Sequence, residues 1–323
     1  MQLLETGFPH IDRLSWIAEE KGYSWMMHEW LTDAIYAIGH RWAGGDWFHF
    51  VLAFAVFAFI LGAIASHLQR YYKTVIAYSI TVFAFVLIFS HQESGLSFIT
   101  SRSQIISFLF FVLLLIRVKS IRERGILRSD YAFIFSIMLL WVNLHGGSSL
   151  IGVVIMGVLF VSCGIDWLRK VKGSEHMLSA VALLVLTVIT ELINPYGIGQ
   201  IELAYHILFD PISKYISEWK PPVFTSWYLI ALLVLPFVLL LFNAVKNKQL
   251  KIDIFNLLFV FFMLYEFLGS VRHTAMFGLS VFILFAELFK PIEQWLKRVF
   301  DLLNKSNLIN KSLLIWTIRG LRS

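Results

Sequence analysis

Acidic and imidazole side chains lie in short polar stretches between long apolar runs, and three of them have the chemistry of a general base. Glu29 and Asp33 are four residues apart in "HEWLTDAIYAIGHRW" (28–42), so a helix would carry both on one face. His145 follows an apolar run in "NLHGG" (143–147). A positioned carboxylate or imidazole can remove a proton from a hydroxyl group. We predict that these three residues are catalytic. A simple interfacial anchor (28–42) and a hydrogen-bonded helix end (His145) are the competing interpretations.

Basic side chains at the ends of two other apolar runs have the chemistry of phosphate binding. Arg102 lies in "TSRSQIISFLFF", and Arg272 and His273 lie in "GSVRHTAMF". The planar guanidinium group can bind two phosphate oxygens at once. We predict that Arg102, Arg272 and His273 bind the phosphate of a donor substrate. The alternative is that the arginines only extend from the membrane edge to water.

A third group of polar residues is suited to binding a sugar or an acceptor. Glu218 and Trp219 lie in "EWKPP" (218–222), and Asn143 lies close to His145. An indole ring can stack on a sugar, although tryptophan is also enriched at membrane interfaces. We predict that Glu218, Trp219 and Asn143 bind the acceptor or sugar. His28 and Glu29 alone are weak evidence for a metal site, and a divalent cation would need both acidic groups and a phosphate to hold it.

The composition places all of these residues in a membrane protein. Hydrophobic residues make up 58% of the 323 positions and charged residues 15%, which a soluble domain of this length could not bury. The net charge of +6 comes mostly from short loops between apolar runs, where lysine and arginine set orientation, so we exclude nucleic acid as a partner. The single cysteine, Cys163, excludes an intramolecular disulfide.

The apolar runs predict an all-α, polytopic bundle of about nine spans, preceded by an amphipathic interfacial helix within 28–42. We predict three regions: a non-cytoplasmic segment (1–45), a transmembrane domain (46–290) and a basic cytoplasmic tail (291–323). The spans have the length that an α-helix needs to cross hydrocarbon. They are 46–66, 73–90, 103–118, 130–144, 148–168, 177–193, 225–243, 252–269 and 273–289.

Loop charge predicts the orientation of the chain in a cell membrane. Four alternate loops hold 13 of the 27 Lys and Arg residues, and the tail from Lys290 holds seven more. The remaining seven are spread over the other loops and the first 45 residues. By the positive-inside rule the basic loops and the C-terminus are cytoplasmic. All the candidate site residues are then non-cytoplasmic, and we predict that His145, Glu29 and Arg272 surround one outer cavity.

The order of the motifs resembles a family of bacterial polytopic membrane proteins. "ETGFPHIDRLSW", "SRSQIISFLFF", "WVNLHGGSSLIG", "LINPYG", "SEWKPP" and "VRHTAMF" occur in that order, and the resemblance extends from about residue 3 to residue 280. This family is placed near the GT-C glycosyltransferases, beside the dolichyl-phosphate-mannose and arabinose-transferase-like enzymes. The resemblance implies an outward-facing site, a polyprenyl-phosphate sugar donor and an acidic base in the first outer loop.

The chain departs from this family at its start. Family members have an initial helix and an acidic residue before "ETG", and the sequence contains neither. We therefore expect that the natural protein begins earlier, with one more span. Glu29 is then the nearest acidic candidate in the same loop.

These observations lead to one functional hypothesis and two alternatives. The chain has no GxxxxGK[ST] phosphate-binding loop, so a donor must arrive through the membrane. We expect a glycosyltransferase that moves a sugar from a polyprenyl phosphate to an acceptor on the non-cytoplasmic face. A transporter or flippase would need polar residues in the middle of its spans, where this sequence has almost no charge. A non-catalytic assembly protein is the other alternative.

Overall fold

The regular elements of the structure, a computed structural model, are helices. It describes residues 8, 11, 16–22, 25–45, 47–89, 102–209, 215–247, 252–290, 293–294 and 297–298. Three short 3-10 helices cover Ser217–Trp219, Val271–His273 and Ala286–Phe289. The α-helices, numbered here in chain order, are α1 (Trp16–Lys21), α2 (Trp30–Ala43), α3 (Trp47–Leu68), α4 (Thr74–Phe89), α5 (Gln104–Arg124), α6 (Arg128–Leu144), α7 (Gly146–Leu168), α8 (Ser174–Glu191), α9 (Gly199–Phe209), α10 (Trp227–Asn247), α11 (Ile254–Gly269) and α12 (Thr274–Leu284).

These elements agree with the predicted all-α class and with the presence of membrane-spanning helices. Each of the nine predicted spans falls on a helix. Among the described residues, five helices, α3, α5, α7, α8 and α10, are long and apolar enough to cross a bilayer. The helices at the other four predicted spans have 11 to 17 residues. Sixteen residues of α-helix extend roughly 24 Å, less than the hydrocarbon thickness. The count of nine spans therefore stays a prediction.

Helix α5 is longer than the predicted span 103–118 because its basic residues have partners. The helix continues to Arg124. The ammonium group of Lys119 donates to Glu287 Oε2 at 2.7 Å and to the carbonyl of Leu284 at 2.8 Å. One turn further, Arg122 pairs with Asp253 at 3.0 Å. Paired charges can continue an apolar helix without a buried, unsatisfied group.

The chain forms two compact units. The first contains Met1–Phe57, Phe98–Leu114 and Glu123–Tyr215. The second contains Ala58–Ser97, Leu115–Arg122 and Ile216–Ser323. In the first unit α8 packs on α7 and α6, and α2 packs on α6; in the second α12 packs on α11 and α4. The predicted tail, 291–323, lies outside the described residues except for 293–294 and 297–298.

The predicted amphipathic helix is present as α2, and its two buried residues are small. Thr32 and Gly39 are its buried residues. The Thr32 hydroxyl donates to the carbonyl of Leu144 at 2.6 Å, and Gly39 lies against the ring of Phe48. The helical period of 28–42 predicts an apolar stripe of Trp30, Leu31, Ala34, Ile35, Ile38 and Trp42. Of these, Trp42 is 84% exposed. The exposed stripe is compatible with a helix lying in a membrane interface.

Candidate functional site

Glu29 and His145, which the sequence placed in different motifs, are in contact in the first unit. Glu29 Oε1 lies 3.1 Å from His145 Nε2 and 3.5 Å from His28 Nε2. The hydroxyl of Ser103 also hydrogen-bonds to Glu29. His145 is almost completely buried, while Glu29 and His28 are partly exposed. One carboxylate is therefore held by two imidazoles at the edge of the protein.

The other nitrogen of His145 is bound from inside the helix bundle. Ser107 Oγ lies 2.7 Å from His145 Nδ1, and the indole of Trp141 donates to the same Oγ at 2.9 Å. A serine that contacts a histidine, which in turn contacts a glutamate, resembles the catalytic triad of a hydrolase. Ser107 has no exposed surface, however, and cannot meet a substrate. Among the hydrogen bonds of the described residues, its hydroxyl contacts only His145 and Trp141.

Local chain geometry brings His145 to Glu29. His145 is the single non-helical residue between α6 and α7, with φ −158° and ψ 74°. Gly146 N donates to the carbonyl of His28 at 2.9 Å, and Met27 N donates to the hydroxyl of Tyr196 at 3.0 Å. Tyr196 belongs to the turn after α8, in which Asn194 Oδ1 accepts from Tyr196 N at 2.8 Å. The "NPYG" turn thus positions the segment that carries His28 and Glu29.

The two glycines of "NLHGG" differ in what surrounds them. A Cβ on Gly146 would collide with the side chain of Gln200, which donates to the carbonyl of Val142 at 2.9 Å. Gly147 is exposed, and His28 Cδ2 is the nearest atom to a Cβ there, at 4.0 Å. The absence of a side chain at Gly146 admits a protein side chain and the 28–29 backbone.

The environment changes the acidity of the groups around Glu29. Burial raises the pKa of the Glu29 carboxyl, but hydrogen bonds from His145 and His28 outweigh it and hold the pKa well below its usual range. The hydrogen bond to Glu29 raises the pKa of His28. Desolvation and the charge of Glu29 raise the pKa of Asp33. The same causes, with the charge of Asp33, raise the pKa of Tyr36 to about 12. The pKa values of Glu29 and Asp33, which are one helical turn apart, are therefore shifted in opposite directions.

Asn143 makes hydrogen bonds within the protein. Its Oδ1 accepts from the indole of Trp30 at 2.9 Å, and its Nδ2 donates to the carbonyls of Leu139 and Ile193, each at 2.9 Å. These bonds fix α2 beside α6 and the end of α8. They give Asn143 a structural role, and the predicted contact with a sugar stays a prediction.

The first unit has an open, mostly apolar groove of about 640 Å³, and Trp30, the residue after Glu29, is part of its lining. Helices α2 and α6 and the turn after α8 form it. Its lining residues are Trp30, Leu31, Leu139, Leu140, Asn143, Leu192, Ile193, Asn194 and Pro195. Leu140, Leu192 and Ile193 are each about half exposed. The groove therefore presents apolar side chains from the two residues that follow Glu29 in the chain and from the helices packed around them.

Arg102 lies next to Ser103, at the start of the helix that carries Ser107. Its carbonyl accepts from Ile105 N at 3.3 Å, and its side chain is exposed. Ser103 bonds Glu29, so Arg102 is one residue from a contact of the site. Its predicted phosphate contact stays a prediction.

In the second unit, the "SEWKPP" and "GSVRHTAMF" motifs pair with each other. The Arg272 guanidinium carbon lies 5.2 Å from the centre of the Trp219 ring, a cation–π contact. Ser270 Oγ donates to the carbonyl of Glu218 at 2.9 Å, and Val271 N donates to the carbonyl of Lys220 at 2.9 Å. The backbone pairing places Trp219 under Arg272. The predicted meeting of Arg272 with Glu29 and His145 stays a prediction.

His273 lies beside an acidic residue that sequence reasoning did not select for the site. His273 Nδ1 is 3.4 Å from Glu266 Oε2 and 3.2 Å from the carbonyl of Glu266. The carbonyl contact occurs where α11 ends and the 3-10 helix Val271–His273 begins. His273 thus has protein partners, and phosphate binding by this residue stays a prediction.

A second buried polar cluster surrounds Gly146. Ser149 Oγ lies 2.7 Å from Glu191 Oε2 and 2.7 Å from the carbonyl of Gly146. Glu191, Ser149 and Gln200 are each at most 2% exposed. In the described part of the chain, Glu191 Oε1 and Gln200 Oε1 are buried without a hydrogen-bond partner. Because one serine hydrogen cannot serve two acceptors fully, this geometry fits a neutral Glu191 that donates to Ser149.

Over the described ranges, no group of three or more His, Cys, Asp or Glu side chains could hold a metal ion. A divalent cation at Glu29 would need further ligands, such as phosphate oxygens.

Comparison with known proteins finds no matching family model, no matching curated protein and no matching solved structure. The resemblance to GT-C glycosyltransferases therefore stays an expectation from the motifs.

The sequence-based prediction did not include the residues that contact Glu29, His145 and their neighbours from within the protein. Ser103 and Ser107 are one helical turn apart in "SRSQIIS", at the start of an apolar helix. Two hydroxyls at that spacing on one face are a usable signal. Tyr196 and Gln200 carry no comparable signal, because their partners lie far away in the sequence.

Proposed function

We propose that this protein is an integral-membrane, glycosyltransferase-like enzyme that uses a lipid-linked sugar donor. One observation carries the proposal: the Glu29 carboxylate is held by His145 and His28, and the next two residues of the chain, Trp30 and Leu31, line an open apolar groove. A lipid-linked substrate needs a polar reaction centre next to an apolar surface that its chain can occupy. The five long apolar helices support a location in the bilayer.

The opposite pKa shifts suggest separate roles for the two carboxyl groups. Divergent shifts within one site often mark such a division. The lowered pKa keeps Glu29 ionised and makes it a weak base, which suits orientation of His145 and of the acceptor hydroxyl. Asp33 is exposed and has a raised pKa, so it is the stronger base of the two. Asp33 would take the hydroxyl proton as the acceptor oxygen bonds to the sugar carbon, and the polyprenyl phosphate would leave with its bonding electrons.

Fixed positive charge would stabilise the leaving phosphate. Arg102, one residue from Ser103, is the candidate in the first unit. Arg272 over Trp219 is the candidate in the second. Glu218 and Trp219 stay candidates for contact with the sugar or acceptor, on the non-cytoplasmic face that loop charge predicts. A divalent cation would fit if phosphate supplied the remaining ligands.

Transfer from defined donors tests the proposal. The full chain is reconstituted in liposomes with polyprenyl-phosphate sugars and a mixture of glycan and lipid acceptors, and labelled product is measured. We expect Asp33→Asn, which removes the base, to lower the rate by about 10²- to 10⁴-fold, and Glu29→Gln, which removes the orienting carboxylate, to lower it as well. Glu175→Gln, which removes an exposed carboxylate at the start of α8, is the matched control. Wild-type rates in both site variants would contradict the proposal.

The same liposomes separate the alternatives. A flippase would move the labelled lipid between leaflets without forming product. An assembly protein would do neither.

A further inference from the structure

Three hydrogen bonds in series connect the interior of the first unit to Glu29, and their directions can be assigned. The indole N–H of Trp141 can only donate, so Ser107 Oγ accepts from it at 2.9 Å. Both side chains are completely buried. The Ser107 hydrogen then needs an acceptor, because a buried hydroxyl without one is unfavourable. His145 Nδ1, at 2.7 Å, fills that role.

This assignment determines where His145 carries its proton. A nitrogen that accepts a hydrogen bond is unprotonated, so the proton of the neutral ring is on Nε2. Nε2 faces Glu29 Oε1 at 3.1 Å and Ser148 Oγ at 3.3 Å. His145 therefore donates to the carboxylate. A second proton on Nδ1 would require the Ser107 hydrogen to leave its acceptor, and the buried surroundings oppose this.

We propose that Ser107 and Trp141 are positioning residues that lock His145 in the Nε2–H tautomer, and that this tautomer orients the Glu29 carboxylate. The inference deepens the proposed function, since it assigns a role to residues behind the reacting groups. Ser107 touches no substrate and acts only through His145.

Nitrogen NMR of the histidine side chains tests the tautomer without reference to activity. The full chain is labelled with ¹⁵N-histidine in lipid nanodiscs, and His145→Gln assigns the His145 signals. We expect an unprotonated Nδ1 and a protonated Nε2 at neutral pH. Ser107→Thr, which keeps the hydroxyl, should preserve this pattern, and Ser107→Ala should lose it. Ser162→Ala, which removes another fully buried hydroxyl of the same unit, should leave it unchanged.

Two results would overturn the inference: a protonated Nδ1 in the wild type, or a wild-type pattern in Ser107→Ala. If Ser107→Ala does not fold, the wild-type and Ser107→Thr spectra still decide the tautomer.

Enzyme kinetics give a second readout. Loss of one hydrogen bond behind His145 should lower kcat about two- to tenfold while KM stays the same, with recovery in Ser107→Thr. If the tautomer is as assigned but Glu29→Gln and Asp33→Asn transfer sugar normally, the proposed function fails and the tautomer lock stands. If those variants are inactive and Nδ1 is protonated, the lock fails and the proposed function stands.

Discussion

Glu29 occupies the N-cap position of α2, yet its carboxylate makes no capping hydrogen bond and lies 3.1 Å from His145 Nε2 instead. A side-chain oxygen at this position, most often of Ser, Thr, Asp or Asn, can accept from the free N–H groups of the first turn and stabilise the helix. Here the helix start is held by other contacts, including the Thr32 hydroxyl on the Leu144 carbonyl. The carboxylate remains available to the two histidines.

Removal of the His28 imidazole tests the charge pairing at this site. Because Glu29 raises the pKa of His28, the folded protein binds that proton more tightly than the unfolded chain does. The contribution of His28 to the free energy of unfolding is complete at pH values below its ordinary pKa of 6.5. It is lost as the pH rises through the raised pKa of the folded protein. The lowered pKa of Glu29 stabilises the folded protein at pH values above the ordinary glutamate pKa of 4.5. This contribution is therefore constant over the pH range in which His28 loses its proton.

We expect His28→Gln to lower the unfolding temperature more at about pH 5.5 than at about pH 9. Thermal unfolding in detergent measures both values. His206→Gln, at an exposed position of α9, is the control. An equal loss at the two pH values would show that His28 contributes no charge-dependent stability.

Gly146→Ala should destabilise the fold, because its Cβ meets the Gln200 side chain. Overpacking of a buried site costs about 1–3 kcal/mol. Gly147→Ala next to it is the control, since a Cβ there has open space. Combining Gly146→Ala with Gln200→Ala should recover part of the loss, as judged by denaturant unfolding. Equal stabilities of Gly146→Ala and Gly147→Ala would refute the packing assignment.

Infrared spectroscopy can identify a neutral Glu191. We expect the folded protein at neutral pH to show the carbonyl band of a protonated carboxylic acid, and Glu191→Gln to remove it. The amide can replace the donor to Ser149, so the free energy of unfolding should change by less than about 1 kcal/mol. Glu175→Gln, at an exposed site, should leave the band intact. A spectrum in which Glu191→Gln removes only carboxylate absorption would show that Glu191 is ionised.

Arg272→Lys should weaken binding of a polyprenyl phosphate although the charge is retained. Lysine lacks the planar group that lies over Trp219 and that can bind two phosphate oxygens. Loss of one charge-assisted hydrogen bond is worth roughly 1.5–3 kcal/mol, or about ten- to a hundredfold in affinity. Binding to liposomes that contain the lipid gives the Kd.

Lys220→Ala removes a positive charge from the segment that pairs with Val271, next to Arg272, and should have a smaller effect, since Lys220 is exposed. Unchanged affinity in Arg272→Ala would remove this residue from any phosphate site.

Cysteine labelling tests the orientation predicted from loop charge. Ser217 precedes the "EWKPP" motif and Ser174 begins α8, and both positions are exposed. In intact cells we expect an impermeant maleimide to label Ser217→Cys and not Ser174→Cys. Both should react after the membrane is permeabilised. The reverse pattern in intact cells would invert the predicted topology and place the candidate site on the cytoplasmic side.

Composition and hydropathy were enough to predict a helical membrane protein, and the residue types showed which chemistry is available to it. Apolar runs of near-membrane length between polar stretches predict helices, because an apolar side chain favours burial whatever its neighbours are. The same stretches carry Glu29, Asp33, His145 and Arg272, so their types and their loops could be read directly. The end of α5 could not be predicted in this way, because Lys119 and Arg122 pair with Glu287 and Asp253, which lie far along the chain.

Which of these residues meet could not be predicted from the sequence and is seen in the folded chain. The Glu29–His145 contact, the buried Ser107 behind it and the Gln200 side chain against Gly146 all join distant segments. Helical periodicity specifies which face of one helix a residue occupies, but not which other helix it faces or at what height. Those relations depend on side-chain shape and on the pairing of each buried polar group, which are satisfied only when the helices pack.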